Sequence, residues 1–357
     1  MRKRKIMSIL LSVLLITGLV SGCGSHTGGD GSDSSGKSSI NFFCWTEYMP
    51  QEVLDKFEDE TGIHVNMSTY SSNEDMLAKV KSEVEGTYDV IVPSDYMIEQ
   101  MASQGMLEEL DHDALSNLSN IGAAYLSPSY DSGNRYSVPY QGGVAAIAVD
   151  TSKVDIDITS YDDLFDPALK GSIVALDDYR AVIGLTARSM GYSMNETDPD
   201  TLAEIEAKLL TLKDNIKLYD SDSPKSALIS GDCAVGFCWG AEIALTMEED
   251  SNYKIVYPSE GAYLFMDNLA IPKGSKHYDE AMQFINFILD PENSKMISEE
   301  FPYLNPNVEA IELLGDEFAG NEAKNPPQEV IAAGEYVTNL DPDTIAIYDE
   351  MWTKLKQ

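Results

Sequence analysis

Residues 40–65 read INFFCWTEYMPQEVLDKFEDETGIHV, and the fold is decided by this stretch. Ile40 to Cys44 is a strand. Trp45-Thr46-Glu47-Tyr48 is a tight corner, and a helix follows. Pro50 suits the first helical turn, where a missing N–H leaves nothing unpaired. Val53, Leu54 and Phe57 give the helix one apolar side. Gly62 ends it as a left-handed cap, and Ile63–Met67 resumes a strand. The corner therefore lies at the carboxyl end of a strand, where open α/β sheets place their ligands. A Trp and a Tyr flanking a carboxylate suit a cationic organic ligand, because ring faces and a carboxylate both attract an ammonium. The other reading of the same residues is aromatic core beside a solvated Glu47.

The same pattern recurs along the chain. Tyr88–Val92 is a short strand ending in Pro93-Ser94-Asp95-Tyr96, with Asp95 read as an exposed turn residue. Ser172–Leu176 ends in Asp177-Asp178-Tyr179-Arg180. Lys217–Tyr219 ends in Asp220-Ser221-Asp222, and Cys233–Trp239 ends in Trp239-Gly240-Ala241-Glu242. Helices follow each corner, at Ser72–Val84, Met97–Gln104, Tyr179–Met190, Thr201–Leu212, Ser223–Ile229 and onward from Glu242. Strands alternating with helices favour an α/β architecture. Two longer apolar stretches, Tyr136–Asp150 and Tyr263–Ile271, read as strands that cross between two lobes. The second carries Asp267 in its middle, and a carboxylate there is costly to bury without a cationic partner.

The chain has 357 residues and a formal net charge of −36. So acidic a body repels nucleic acid and draws cations toward it. Arg2-Lys3-Arg4-Lys5 and the apolar run Ile6–Val20 form a signal segment too short to span a membrane. That segment ends in Leu19-Val20-Ser21-Gly22-Cys23, which resembles a bacterial lipoprotein signal. Residues 1–22 are then a leader, Cys23 carries a lipid, and 23–39 is a flexible Gly/Ser-rich tether. No later run is long enough to span a membrane, so the rest is an extracytoplasmic body. Cys233 and Cys238 lie five residues apart on one strand, roughly 17 Å, too far for a disulfide. With Cys44 they are expected to be buried thiols.

Catalytic chemistry is poorly supported. His26, His64, His112 and His277 are the four histidines, and none neighbours another. There is no HExxH, GxSxG, P-loop or GxGxxG, so neither a metal site nor a cofactor site is expected. A carboxylate pair with aromatic neighbours suits a glycan hydrolase, but 60 acidic residues make such pairs common by chance.

FFCWTEYMPQEVLDKFEDETGIHV, STYSSNEDMLAKV, YDVIVPSDYMIEQM, VPYQGGVAAIAV and FMDNLAIP together resemble the spermidine/putrescine-binding proteins of polyamine ABC importers. The likeness runs in order from about Ile40 to the C-terminal helix. It implies an α/β type II periplasmic-binding-protein fold, two lobes joined by two crossing strands with a ligand cleft between. Residues 40–141 and 268–307 would form one lobe, and 142–267 and 308–357 the other. The implied ligand wall is Trp45, Thr46, Glu47 and Tyr48 with Ser94 and Tyr96. Asp178 and Asp267 match carboxylates that pair with ammonium groups. Trp239 matches a ring stacked on the methylene chain, Ser221 a polar contact, and Tyr303 a ring from the far side. The sequence departs from the family at three places. Phe265 stands where spermidine binders have Trp, Ala181 where some have Glu, and Val337 where a Gln is expected. Glu242 is the candidate to replace the anion missing at Ala181. The implied function is a monomeric lipoprotein that captures a polyamine, breaks no bond, and delivers it to a permease with a cytoplasmic ATPase. The same fold binding another small solute and a secreted glycan hydrolase are the alternatives.

Overall fold

The structure, a computed structural model, describes residues 38–357. The leader, Cys23 and nearly all of the tether lie outside the described residues. Ten strands form one sheet: β1 Ser39–Trp45, β2 His64–Tyr70, β3 Val90–Ile91, β4 Ser137–Asp150, β5 Ile173–Ala175, β6 Ile216–Tyr219, β7 Val235–Trp239, β8 Tyr253–Val256, β9 Tyr263–Ala270 and β10 Glu335–Tyr336. The order is β2-β1-β3-β9-β4-β7-β5-β6, with β10 paired to β9 and β8 to β4.

β1 pairs in parallel with β2 and β3. The helix Gln51–Thr61 is the crossover that parallel neighbours require, and it buries Val53, Leu54 and Phe57. Pro50 takes the N-cap position. Gly62, at φ +76°, donates its N–H to the Glu58 carbonyl at 2.8 Å and closes the helix. On the far side β5 pairs in parallel with β6 and β7. Between these blocks run β4 and β9, antiparallel to each other, to β7 and to β3 respectively. Two parallel α/β halves are thus joined through a central antiparallel pair, which is the two-lobed arrangement with crossing strands.

β4 shows why its small apolar residues suit the crossing. Ala145, Ile147 and Val149 enter the main core, while Val144, Ala146 and Ala148 enter a second cluster beneath β7 and β8. Successive side chains point to opposite faces, and both faces are covered. Cys44, Cys233 and Cys238 are free and buried, as expected of small hydrophobes.

Several boundaries differ from the sequence reading. The second helix is Asn73–Ser82, because Glu83 caps it by donating to the Lys79 carbonyl. Val84, expected as the last residue of this helix, lies beyond it and is exposed. β8, β10 and the helices Val308–Ala319 and Gln328–Ala333 were not expected. Val308–Ala319 packs against Pro291–Glu300. That helix in turn meets Gln51–Thr61 through a Lys56–Asn293 hydrogen bond of 2.6 Å. Further along, Lys324 pairs with Glu248 at 2.6 Å.

Candidate ligand-binding site

The strand ends meet at a cleft whose empty space, counting its open mouth, is about 560 Å³. At its base is Asp267, 4% exposed, in the middle of β9. Tyr48 donates its hydroxyl to one carboxylate oxygen at 2.7 Å, and Ser94 donates to the other at 2.5 Å. Ser94 caps the helix Asp95–Ser103 directly after β3. It is held by Asn73, whose side-chain amide donates to its hydroxyl at 2.9 Å and whose carbonyl accepts its backbone N–H at 3.1 Å. Tyr140 from β4 fixes the corner by donating to the Tyr48 carbonyl at 2.7 Å. Among the described residues no lysine or arginine pairs with Asp267. Burial pushes its pKa up to about 7, against the two hydroxyl donors, which favour the anion.

Rings wall the cleft. Trp45 donates its indole N–H to the Val92 carbonyl at 2.8 Å and rests on Tyr70, centroids 4.6 Å apart. Trp239, at the end of β7, is anchored to the Ser221 carbonyl at 3.2 Å and meets Phe265 edge-on at 5.0 Å. Tyr303 closes the wall against Tyr48 at 4.8 Å. Asp178 lies in the same lining and also caps the helix Tyr179–Ser189, accepting the Ala181 N–H at 3.0 Å. The cap and the lining carboxylate are thus one residue, and burial raises its pKa.

Ten of the thirteen expected residues line this cleft: Trp45, Thr46, Tyr48, Ser94, Asp178, Ser221, Trp239, Phe265, Asp267 and Tyr303. Three do not. Glu47 turns the corner in a left-handed conformation at φ +49° and reaches out to Lys225 at 2.6 Å. Glu242 is buried, but both its oxygens accept from the same Lys225 at 3.0 Å. One lysine is thus shared by Glu47 and Glu242, and neither carboxylate lines the cleft. Tyr96 is buried beside the cleft and donates to Glu74 at 3.0 Å. Asp95, expected to be an exposed turn residue, is 2% exposed. It accepts the N–H groups of Tyr96 and Met266, so it ties β9 to the helix after β3.

Ser71, Asn73, Asp222 and Tyr263 also line the cleft and were missed. Tyr263 had a signal, because a period of two puts 263, 265 and 267 on one face of β9. Ser71 and Asn73 follow β2 and form one more polar strand-end corner.

A model of the family described as bacterial extracellular solute-binding protein matches residues 52–353. The chain belongs to that family. It is 37% identical to the spermidine/putrescine-binding periplasmic protein of Salmonella typhimurium, over 90% of this chain and 93% of the relative. Identity to the protein of that name from Escherichia coli is also 37%, over 89% and 92%. Among solved structures, a protein of Listeria monocytogenes described as a spermidine/putrescine ABC transporter superposes with a TM-score of 0.87. The two are 34% identical, over 90% of this chain and 99% of that one. PotD of Streptococcus pneumoniae, the substrate-binding protein of a spermidine/putrescine ABC transporter, gives 0.76 at 35% identity, over 89% and 98%. A solute-binding protein of this family works outside the cytoplasm and serves a transporter. Its relatives are binding proteins.

Proposed function

We propose that this solute-binding protein captures a linear polyamine such as spermidine or putrescine. It acts as a monomer and passes its ligand to an ABC permease with a cytoplasmic ATPase. The observation that carries this reading is Asp267. A carboxylate in the middle of an apolar strand, oriented by two hydroxyls and left without a cation, is unfavourable unless the ligand supplies one. Ring faces on Trp45, Trp239, Phe265 and Tyr303 suit a methylene chain and the cations along it. The relatives, spermidine/putrescine-binding proteins by name, support the same ligand class. In this reading no bond is broken, and closure of the lobes around the ligand is what the permease senses. The lobes are proposed to divide near 141–142 and 267–268 along β4 and β9. A lipid on Cys23 would hold the protein at the membrane, with 23–39 as its tether.

Calorimetric titration of the full chain with putrescine, spermidine and spermine, with glucose as control, tests this. One-to-one binding of at least one polyamine and no heat with glucose is the expected result. No heat and no thermal stabilisation with any polyamine, on folded and ligand-stripped protein, would assign the fold to another solute.

A further inference from the structure

Beyond Asp178 lies a second chamber of about 1070 Å³, counting its open side. Asp178, Ser221 and Asp222 line both chambers, so the two adjoin. Glu74, on the helix after β2, stands in the wall of the second. One of its carboxylate oxygens accepts two hydroxyls from different parts of the fold, Tyr96 at 3.0 Å and Tyr179 at 3.2 Å. Neither Glu74 nor Asp178 forms an ion pair with a lysine or arginine among the described residues. Arg180, adjacent in sequence, gives its guanidinium to Asn195 and the Thr338 carbonyl instead. The hydroxyl of Ser221, on the rim shared by the chambers, is buried without a protein partner. Two tyrosines thus fix a carboxylate that no lysine or arginine pairs with among the described residues.

We propose that Glu74 is a ligand-binding carboxylate that, together with Asp178, forms a second cation pole and selects polyamines with three or more nitrogens. The inference rests on the polyamine reading above. In this reading Asp267 and Asp178, which both line the first chamber, hold the two ammonium groups of a diamine. A triamine brings one more ammonium, and this chain has Ala181 where some relatives of the resembled family offer a Glu. Glu74 supplies that counter-charge from a different element. Burial and the like charge of Asp178 both push the Glu74 pKa up, and an ammonium between them relieves the repulsion.

The test titrates the full chain and Glu74→Gln with putrescine and spermidine. Gln keeps an oxygen that accepts from both tyrosines, so the local fold is retained while the charge is lost. Spermidine affinity is expected to fall about tenfold or more, and putrescine affinity less than about threefold. Equal losses for both ligands, or no loss, overturn the role of Glu74. Where Glu74→Gln melts early, Tyr179→Phe carries the test. It frees the carboxylate on one side and is expected to lower spermidine affinity selectively, and unchanged selectivity overturns the proposal. If the unaltered protein binds neither ligand, the polyamine reading itself fails, whatever Glu74 does.

Discussion

Asp267 couples binding to pH in a direction that can be worked out. In the ligand-free protein its carboxyl titrates near 7, because burial disfavours the anion. A bound ammonium favours the anion and keeps its own proton, its pKa lying near that of lysine, about 10.4. Binding below pH 7 therefore releases a proton, and affinity rises with pH through that value. Between pH 6 and pH 8 the polyamine dissociation constant is expected to fall about tenfold, read by titration at constant ionic strength. Ligand-free stability has the opposite slope. Asp267 at about 7 and Asp95 at about 8 are both raised above their unfolded values by burial. The folded chain then holds protons that the unfolded chain loses from about pH 4 upward, so these groups lower stability as pH rises through 4 to 8. The melting temperature without ligand is expected to drop from pH 5 to pH 8, and a rise would contradict the burial of these groups. Asp267→Asn is expected to weaken polyamine binding by about 2–4 kcal/mol, thirty-fold to several hundred-fold. An unchanged affinity would remove Asp267 from the site.

At the level of strands and helices, the sequence revealed what local physics dictates. The first strand, its helix and the Gly62 cap were legible because each rests on a short-range signal. The corners were legible because a short buried strand must end somewhere polar. Asp267 was legible because a carboxylate inside an apolar run needs a reason. The sheet order was not legible, since pairing β3 with β9 and β4 with β7 depends on contacts far apart in sequence. Nor was the fate of Glu242. Lys225 reaches it from a helix 17 positions earlier, and nothing in either stretch announces the pair. The crossing strands add a constraint that residue types alone only hinted at. A Cβ on Gly142 would lie 2.8 Å from the Phe265 carbonyl and 2.6 Å from the Met266 methyl. Gly142 also exchanges backbone hydrogen bonds with Leu304 at 2.9 and 3.0 Å, next to Tyr303. Gly142→Ala should push β4 from β9 and cost about 1–3 kcal/mol in denaturant unfolding. It should also weaken ligand binding, because Phe265 and Tyr303 flank the displaced segment. A variant of native stability and affinity would show that the strands can part without harm.

The two halves of the molecule are joined by charge as well as by strands. Lys225, after β6, holds Glu242 on its own side and Glu47 of the first corner on the other. Glu242 is buried, whereas Glu47 is 42% exposed. The cross-cleft arm is therefore screened by solvent and salt, and contributes at most about 1 kcal/mol. A contact of that size across the cleft is expected to act on ligand escape more than on capture. Capture is governed by the net charge of −36, which draws a polycation from a distance. Added salt should thus slow association. It should also speed dissociation modestly, through the Lys225–Glu47 arm. Glu47→Gln separates the two effects. It leaves the Lys225–Glu242 pair intact and changes the long-range field by one charge. Stopped-flow measurement is expected to show dissociation about two- to five-fold faster, with a much smaller change in association. Were Glu47 instead to hold a ligand ammonium directly, its neutralisation would cost about thirty-fold or more, as at Asp267, and that outcome would reject the bridging role.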